Sequence, residues 1–145
     1  MISVRTRPIW IEHLKEPASF SCTLAFPISY DVDFTRLIVQ VNEPMITFLK
    51  QLDEDVRVKV QNVWRNTEYI ECAREHNEVM HIRIKVNNQV RVWELVMNEL
   101  VHSSLDKISS GAKLHVVLKP PMVWCTRRLA SVSFTAQDIV LDKAL

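Results

Sequence analysis

His81-Ile82-Arg83-Ile84-Lys85-Val86-Asn87-Asn88-Gln89-Val90-Arg91-Val92-Trp93-Glu94-Leu95 is the stretch on which the fold turns. Its two flanking runs alternate apolar and polar residues with a period of two, the pattern of a strand buried on one face. Asparagine tolerates the left-handed backbone of a tight turn, so 87–89 is expected to join the runs as a hairpin. With Val86 opposite Val90, Ile84 faces Val92, Lys85 faces Arg91 and Arg83 faces Trp93. One face is then aliphatic and core-directed, and the other carries Arg83, Lys85, Arg91 and Trp93.

Outward from this unit, more alternating runs appear. Phe20, Cys22, Leu24 and Phe26 recur on one side of 19–26, and Leu37, Val39 and Val41 do so over 36–41. Pro27 and Asp31-Val32-Asp33 mark the connection between them. Asn42-Glu43-Pro44 reads as a helix start, followed by Met45, Phe48, Leu49, Leu52, Val56, Val60 and Val63 at helical spacing. Val56 to Val60 also alternates as a strand would; the helix is expected to run to about residue 65. The polar stretch 67–77 predicts a short helix or loop, and 100–108 a short amphipathic helix stopped at Gly111. Strands are expected over 113–119, after Pro120-Pro121 at 122–125, and in one long run over 130–141, with a turn at Arg127-Arg128. Six or so strands without regular βαβ alternation imply a β-rich fold, a Greek-key barrel or an α+β sheet, with two or three helices, in one domain spanning 1–145.

Composition sets the limits. The 145 residues are 48% apolar and 24% charged, enough to bury a core without disulfides or metal. The net charge of +1 carries no bulk attraction for nucleic acid, so any basic site must arise by local clustering. No run approaches the roughly 20 apolar residues that span a bilayer, and Met1 to Pro8 lacks the apolar core of a signal peptide. Cys22, Cys72 and Cys125 are far apart and odd in number, which suits buried free thiols in the cytoplasm or nucleus rather than a secreted framework. Gly111 is the single glycine, so no phosphate-cradling loop, dinucleotide fingerprint or nucleophile elbow can be built.

The chemistry-bearing residues follow. On the hairpin face like charges stand opposite one another, an arrangement favoured only if an anion lies over it. Cations beside an aromatic platform suit a single strand, each stacked base contributing about 1–3 kcal/mol; the plainer alternative is a solvated face with Trp93 covering a loop. A second group comprises Lys113, His115 and Lys119 on one strand face, then Trp124 and Arg127-Arg128, although edge lysines also simply discourage aggregation. Trp10 and Trp64 are expected in or near the core. The histidines at 13, 76, 81, 102 and 115 show no metal spacing, and His81 and His115 read as surface or satisfied strand positions. Asp53-Glu54-Asp55 reads as a solvated acidic patch, since adjacent acids diverge and make a poor acid/base pair. No nucleophile is marked, so neither an enzyme nor a cofactor or metal is expected.

The segment Ile108 to Trp124, with Gly111 ahead of Lys113-Leu114-His115-Val116-Val117-Leu118-Lys119-Pro120 and then an aromatic residue, resembles the closing segment of single-stranded DNA-binding proteins of large DNA viruses and phages. The likeness extends over about residues 45–141, through the basic strand 81–86, the helical Phe48 to Val56 with Trp64, and the final pattern Ser131 to Val140. It implies an OB-fold that binds single strands without sequence preference, through basic and aromatic residues. Two departures stand out: Cys125 to Leu129 replaces the glycines of the family's last hairpin, and Asp142-Lys143-Ala144-Leu145 replaces the acidic tail through which relatives recruit replication partners.

The expectation is therefore an intracellular, non-enzymatic protein that binds single-stranded DNA in replication or recombination, with RNA and self-association left open as partners and no membrane or small-molecule substrate. Phosphate contacts fall to Arg83, Lys85, Arg91, Lys113, Lys119, Arg127 and Arg128, and base stacking to Trp93 and Trp124. The alternative is a structural or interaction subunit that self-associates through exposed strands and tryptophans, residue types that also dominate protein interfaces.

Overall fold

A computed structural model describes residues 10–13, 19–30, 35–43 and 45–142. Among them run 13 strands, one α-helix and one 3-10 turn. The larger sheet contains β2 (Ser19–Leu24), β4 (Thr35–Gln40), β6 (Arg74–His76), β7 (Val79–Val86), β8 (Arg91–Val96), β9 (Glu99–His102), β10 (Lys113–Leu118) and β13 (Ala136–Asp142) in the order β6-β7-β4-β2-β10-β13-β8-β9, with β3 (Ser29–Tyr30) beside β4. The smaller sheet is β1 (Trp10–His13), β11 (Met122–Cys125), β12 (Leu129–Ser133) and β5 (Glu68–Ile70), in the order β1-β11-β12-β5. The fold is β-rich α+β. Among the described residues no ladder closes either sheet into a barrel; an isolated bridge, Lys85 to Thr135, joins β7 to the residues just ahead of β13.

Period-two patterning decides which side of each strand is buried. Phe20, Cys22 and Leu24 on β2, Leu37 and Val39 on β4, Ile82, Ile84 and Val86 on β7, and Leu114, Val116 and Leu118 on β10 are all buried, with polar neighbours between them. Removing this apolar area from water, at about 25 cal/mol per Å², is what holds the layers together. The thiols follow the same rule: Cys22 and Cys125 are buried and Cys72 half-buried, and burial pushes the Cys22 thiol up to about 12.

The helix α1 (Met45–Val63) forms where the spacing placed it and continues through Val56 to Val60, so the helical reading wins over alternation there. Its buried face is Leu49, Asp53, Val56 and Val60, positions that share one side of a 3.6-residue helix. Phe48 falls off that stripe and is 46% exposed, and Val63, in line with the stripe but at the last position of the helix, is 65% exposed. Asp53 is no solvated acid. At 6% exposure it accepts hydrogen bonds from the Tyr69 hydroxyl at 2.5 Å, the Cys72 amide at 2.9 Å and the Ala73 amide at 3.3 Å. These bonds fasten α1 to the stretch 67–77, which is not helix or loop but β5, a bend and β6.

Four further expectations are corrected. The asparagine turn exists, with the Gln89 amide donating to Asn87 Oδ1 at 2.9 Å, but β7 and β8 do not pair. β7 lies antiparallel to β4 and β8 parallel to β13. A hairpin would have set Lys85 against Arg91, whereas docking on β13 sets Arg91 against Asp138, an opposite charge. Residues 100–108 form β9 and the 3-10 turn Leu105–Lys107 in place of a helix. The last run is β12 and β13, interrupted at Phe134-Thr135, and the described residues hold one α-helix rather than two or three. Trp64 does pack partly buried against the core, while the Trp10 side chain lies outside the described residues.

Candidate nucleic-acid interface

The inner side of each strand being apolar, the outer side of the larger sheet collects the polar residues, and the ladders line them up. Arg74 pairs with His81, His81 with Gln40, Gln40 with Thr23 and Thr23 with Lys113. This is one continuous row across β6, β7, β4, β2 and β10, cationic at both ends, about 19 Å long at the usual strand spacing. Lys113 Nζ reaches Thr23 Oγ1 at 3.3 Å, and His115 beside it meets Ser21 Oγ at 3.3 Å. Two positions along β7, Arg83 faces Ile38, and beyond it Lys85 faces Arg36.

Next to the row stands Phe26, just past β2 and 44% exposed. Its ring centroid is 5.9 Å from the His81 imidazole, which lies 6.3 Å from that of His76. Burial first, then the charges of Arg74 and Arg36, lower the Arg83 guanidinium from its ordinary value. Arg83 is a cation among cations.

Of the anticipated residues, Arg83, Lys85 and Lys113 stand on this outer face. Lys119 lies at another corner, where its amide donates to the Thr135 carbonyl at 2.9 Å and Nζ approaches Gln89 Oε1 at 3.5 Å, next to the Lys85 to Thr135 bridge. Arg91 and Trp93 belong to β8 and converge on Asp138. Arg91 donates to its carboxylate at 2.8 and 2.9 Å, and Trp93 Nε1 at 3.0 Å. One face of Trp93 is stacked on His102 at 4.4 Å between centroids. Arg91 is thus matched by an acid, and Trp93 is half used. Trp124, half-buried on β11, and Arg127 and Arg128 in the next turn belong to the smaller sheet. Thr126 shapes that turn, its Oγ1 accepting from the amides of Arg128 at 3.3 Å and Leu129 at 3.0 Å. The nine residues therefore do not form one site.

Phe26, Arg36, Arg74, His76 and Gln40 were not anticipated. His81 was readable in principle, since alternation sets it on the same side as Arg83 and Lys85. The others needed the strand order. Among the described residues no cluster of His, Cys, Asp and Glu suits a metal ion, and no helix is long and apolar enough to cross a membrane. Comparison with protein-family models and with curated proteins found no match to the chain.

Proposed function

We propose that the protein binds single-stranded DNA, as a non-catalytic module acting where such strands arise in replication or recombination. One observation carries this reading: the outward row Arg74, His81, Gln40, Thr23 and Lys113, with Phe26 beside it. Cationic groups spaced across a sheet suit the phosphates of a strand laid over it, and a half-exposed ring suits a base. An OB-like description of the larger sheet belongs to the same proposal, supported by the succession β7-β4-β2-β10-β13 and the bridge between Lys85 and Thr135. The test is fluorescence anisotropy of a labelled oligothymidylate across a salt series. Affinity should fall with salt with a slope near −0.7 per phosphate neutralised; a flat response, or no binding at low salt, would sink the reading.

A second reading, self-association, is favoured by the β8–β9 hairpin. Met97 at its tip is 93% exposed, and Val96, Leu100 and Val101 are 42%, 54% and 41% exposed on strands where β9 pairs only with β8 among the described residues. Unpaired strand edges with apolar side chains attract other chains. Sedimentation that gives the monomer mass at high concentration would dispose of this second reading.

A further inference from the structure

Two grooves adjoin at Phe26, His76 and His81, and these three residues line both. The first, of about 300 Å³, continues to Ile38, Arg74 and Arg83. The second, of about 400 Å³, continues to Thr23, Gln40 and Gly111. Each is at the small end of ligand sites, a size that suits one nucleotide rather than a folded partner.

The charges facing this place are mostly cationic, with Cys72 and Glu75 also in the lining of the first groove. β6 contributes Arg74 and His76, β7 His81 and Arg83, and β4 Gln40 with Arg36 further along. Glu75 also lines the first groove, but it pairs with Met80, on the other side of the hairpin from His81 by strand alternation. Burial, and then the neighbouring His76, lower the His81 imidazole from its ordinary value. These surroundings disfavour the charged imidazole, and an anion seated there reverses the sign of that environment.

Resting on the single-strand reading above, we propose that the paired groove seats one nucleotide, its phosphodiester among Arg74, Arg83 and the two imidazoles and its base against Phe26, with proton uptake by His81 on binding. The sign follows from linkage. The bound His81 imidazole titrates at higher pH than the free one, so affinity rises as pH falls through the interval between the two values, near and below the ordinary histidine range. A phosphodiester holds its single charge through that interval, whereas a terminal phosphate has its second pKa near 6. The probe is accordingly an oligothymidylate of about 10 nucleotides without terminal phosphates.

Affinity is measured at about pH 7.5 and about pH 5.5, within the histidine range and above the ordinary carboxylate range. The wild-type chain should tighten on the order of tenfold, and His81→Gln by less than about twofold. Phe26→Ala should weaken binding at least about fivefold at both pH values. Should the substituted chain fail to fold, NMR of the His81 imidazole in the wild-type chain must show its titration moving to higher pH on binding the strand. Salt-sensitive binding without pH dependence would overturn the histidine proposal and leave the single-strand reading standing; no binding at either pH would overturn both. If inorganic phosphate displaced the strand as effectively as unlabelled oligonucleotide at equal phosphate concentration, a phosphate-only site would replace the nucleotide site.

Discussion

The Tyr69 hydroxyl donates to the Asp53 carboxylate at 2.5 Å, tying the buried face of α1 to β5. The same carboxylate receives the amides of Cys72 and Ala73, so one acid satisfies a side-chain hydroxyl and two backbone amides that lie between β5 and β6, outside the ladders. Burial first, then the hydrogen bond to Asp53, keeps Tyr69 well above the usual phenol range, and it stays a donor at any working pH.

Removing this acceptor leaves donors stranded away from water. Asp53→Ala should cost about 2–4 kcal/mol and Tyr69→Phe about 1–2 kcal/mol in urea unfolding. Equal, negligible losses for both would mean that α1 is held by its apolar face, not by Asp53.

Asp138 sets an acid limit to stability. Burial raises its carboxyl, but the hydrogen bonds from Trp93, Arg91 and Gln137 and the Arg91 charge outweigh that and hold it below its ordinary value. A depressed carboxyl contributes stability above its unfolded pKa, about 3.9, and loses it as pH falls through the folded value. Trp93→Phe should lower stability by about 1–2 kcal/mol at neutral pH and by less below about pH 3. Urea midpoints at the two pH values test this, and an unchanged loss at both would refute it.

Two arginines with the same sequence signature should differ in binding. Arg91 has Asp138 at 2.8 Å, while Arg83 shares its surroundings with Arg74 and Arg36. Arg83→Ala should reduce the salt slope of oligonucleotide binding by about 1; Arg91→Ala should leave it within error. The reverse order would transfer the interface to β8.

Hairpin tips carry backbone strain that glycine would relieve. Asn77 and Glu78 between β6 and β7 have φ of 52° and 65°, and Met97 and Asn98 between β8 and β9 have 50° and 66°. Glu78→Gly and Met97→Gly should each raise unfolding free energy by about 1 kcal/mol, asparagine being tolerated at the neighbouring positions. A loss of stability at either would show that the side chain contributes more than its backbone costs.

The core at the break between β12 and β13 should be intolerant. Phe134 is 2% exposed, and its carbonyl accepts the Lys85 amide at 2.9 Å where β7 meets the residues just ahead of β13. Phe134→Ala should cost about 3–5 kcal/mol, read by thermal or urea unfolding; a smaller loss would indicate that neighbours collapse into the space.

Sequence by itself determined the local quantities. Alternation put Leu37, Val39, Ile82, Ile84, Leu114 and Val116 inside, and 3.6-residue spacing put Leu49, Val56 and Val60 on one side of α1, because each depends only on where a side chain points relative to its near neighbours. It also put Arg83 and Lys85 outside, whichever strand lay beside them. Partner choice was settled elsewhere. Val86 and Val90 sit either side of an asparagine turn, yet β7 went to β4 and β8 to β13, a competition among ladders that one strand's own residues do not encode. The expected cationic face at 83–93 consequently separated, Arg91 and Trp93 turning to Asp138 from a strand 45 and more residues away. Only the tertiary order of strands brought Phe26, His76 and His81 together, since a surface site across a sheet is a product of register between distant segments.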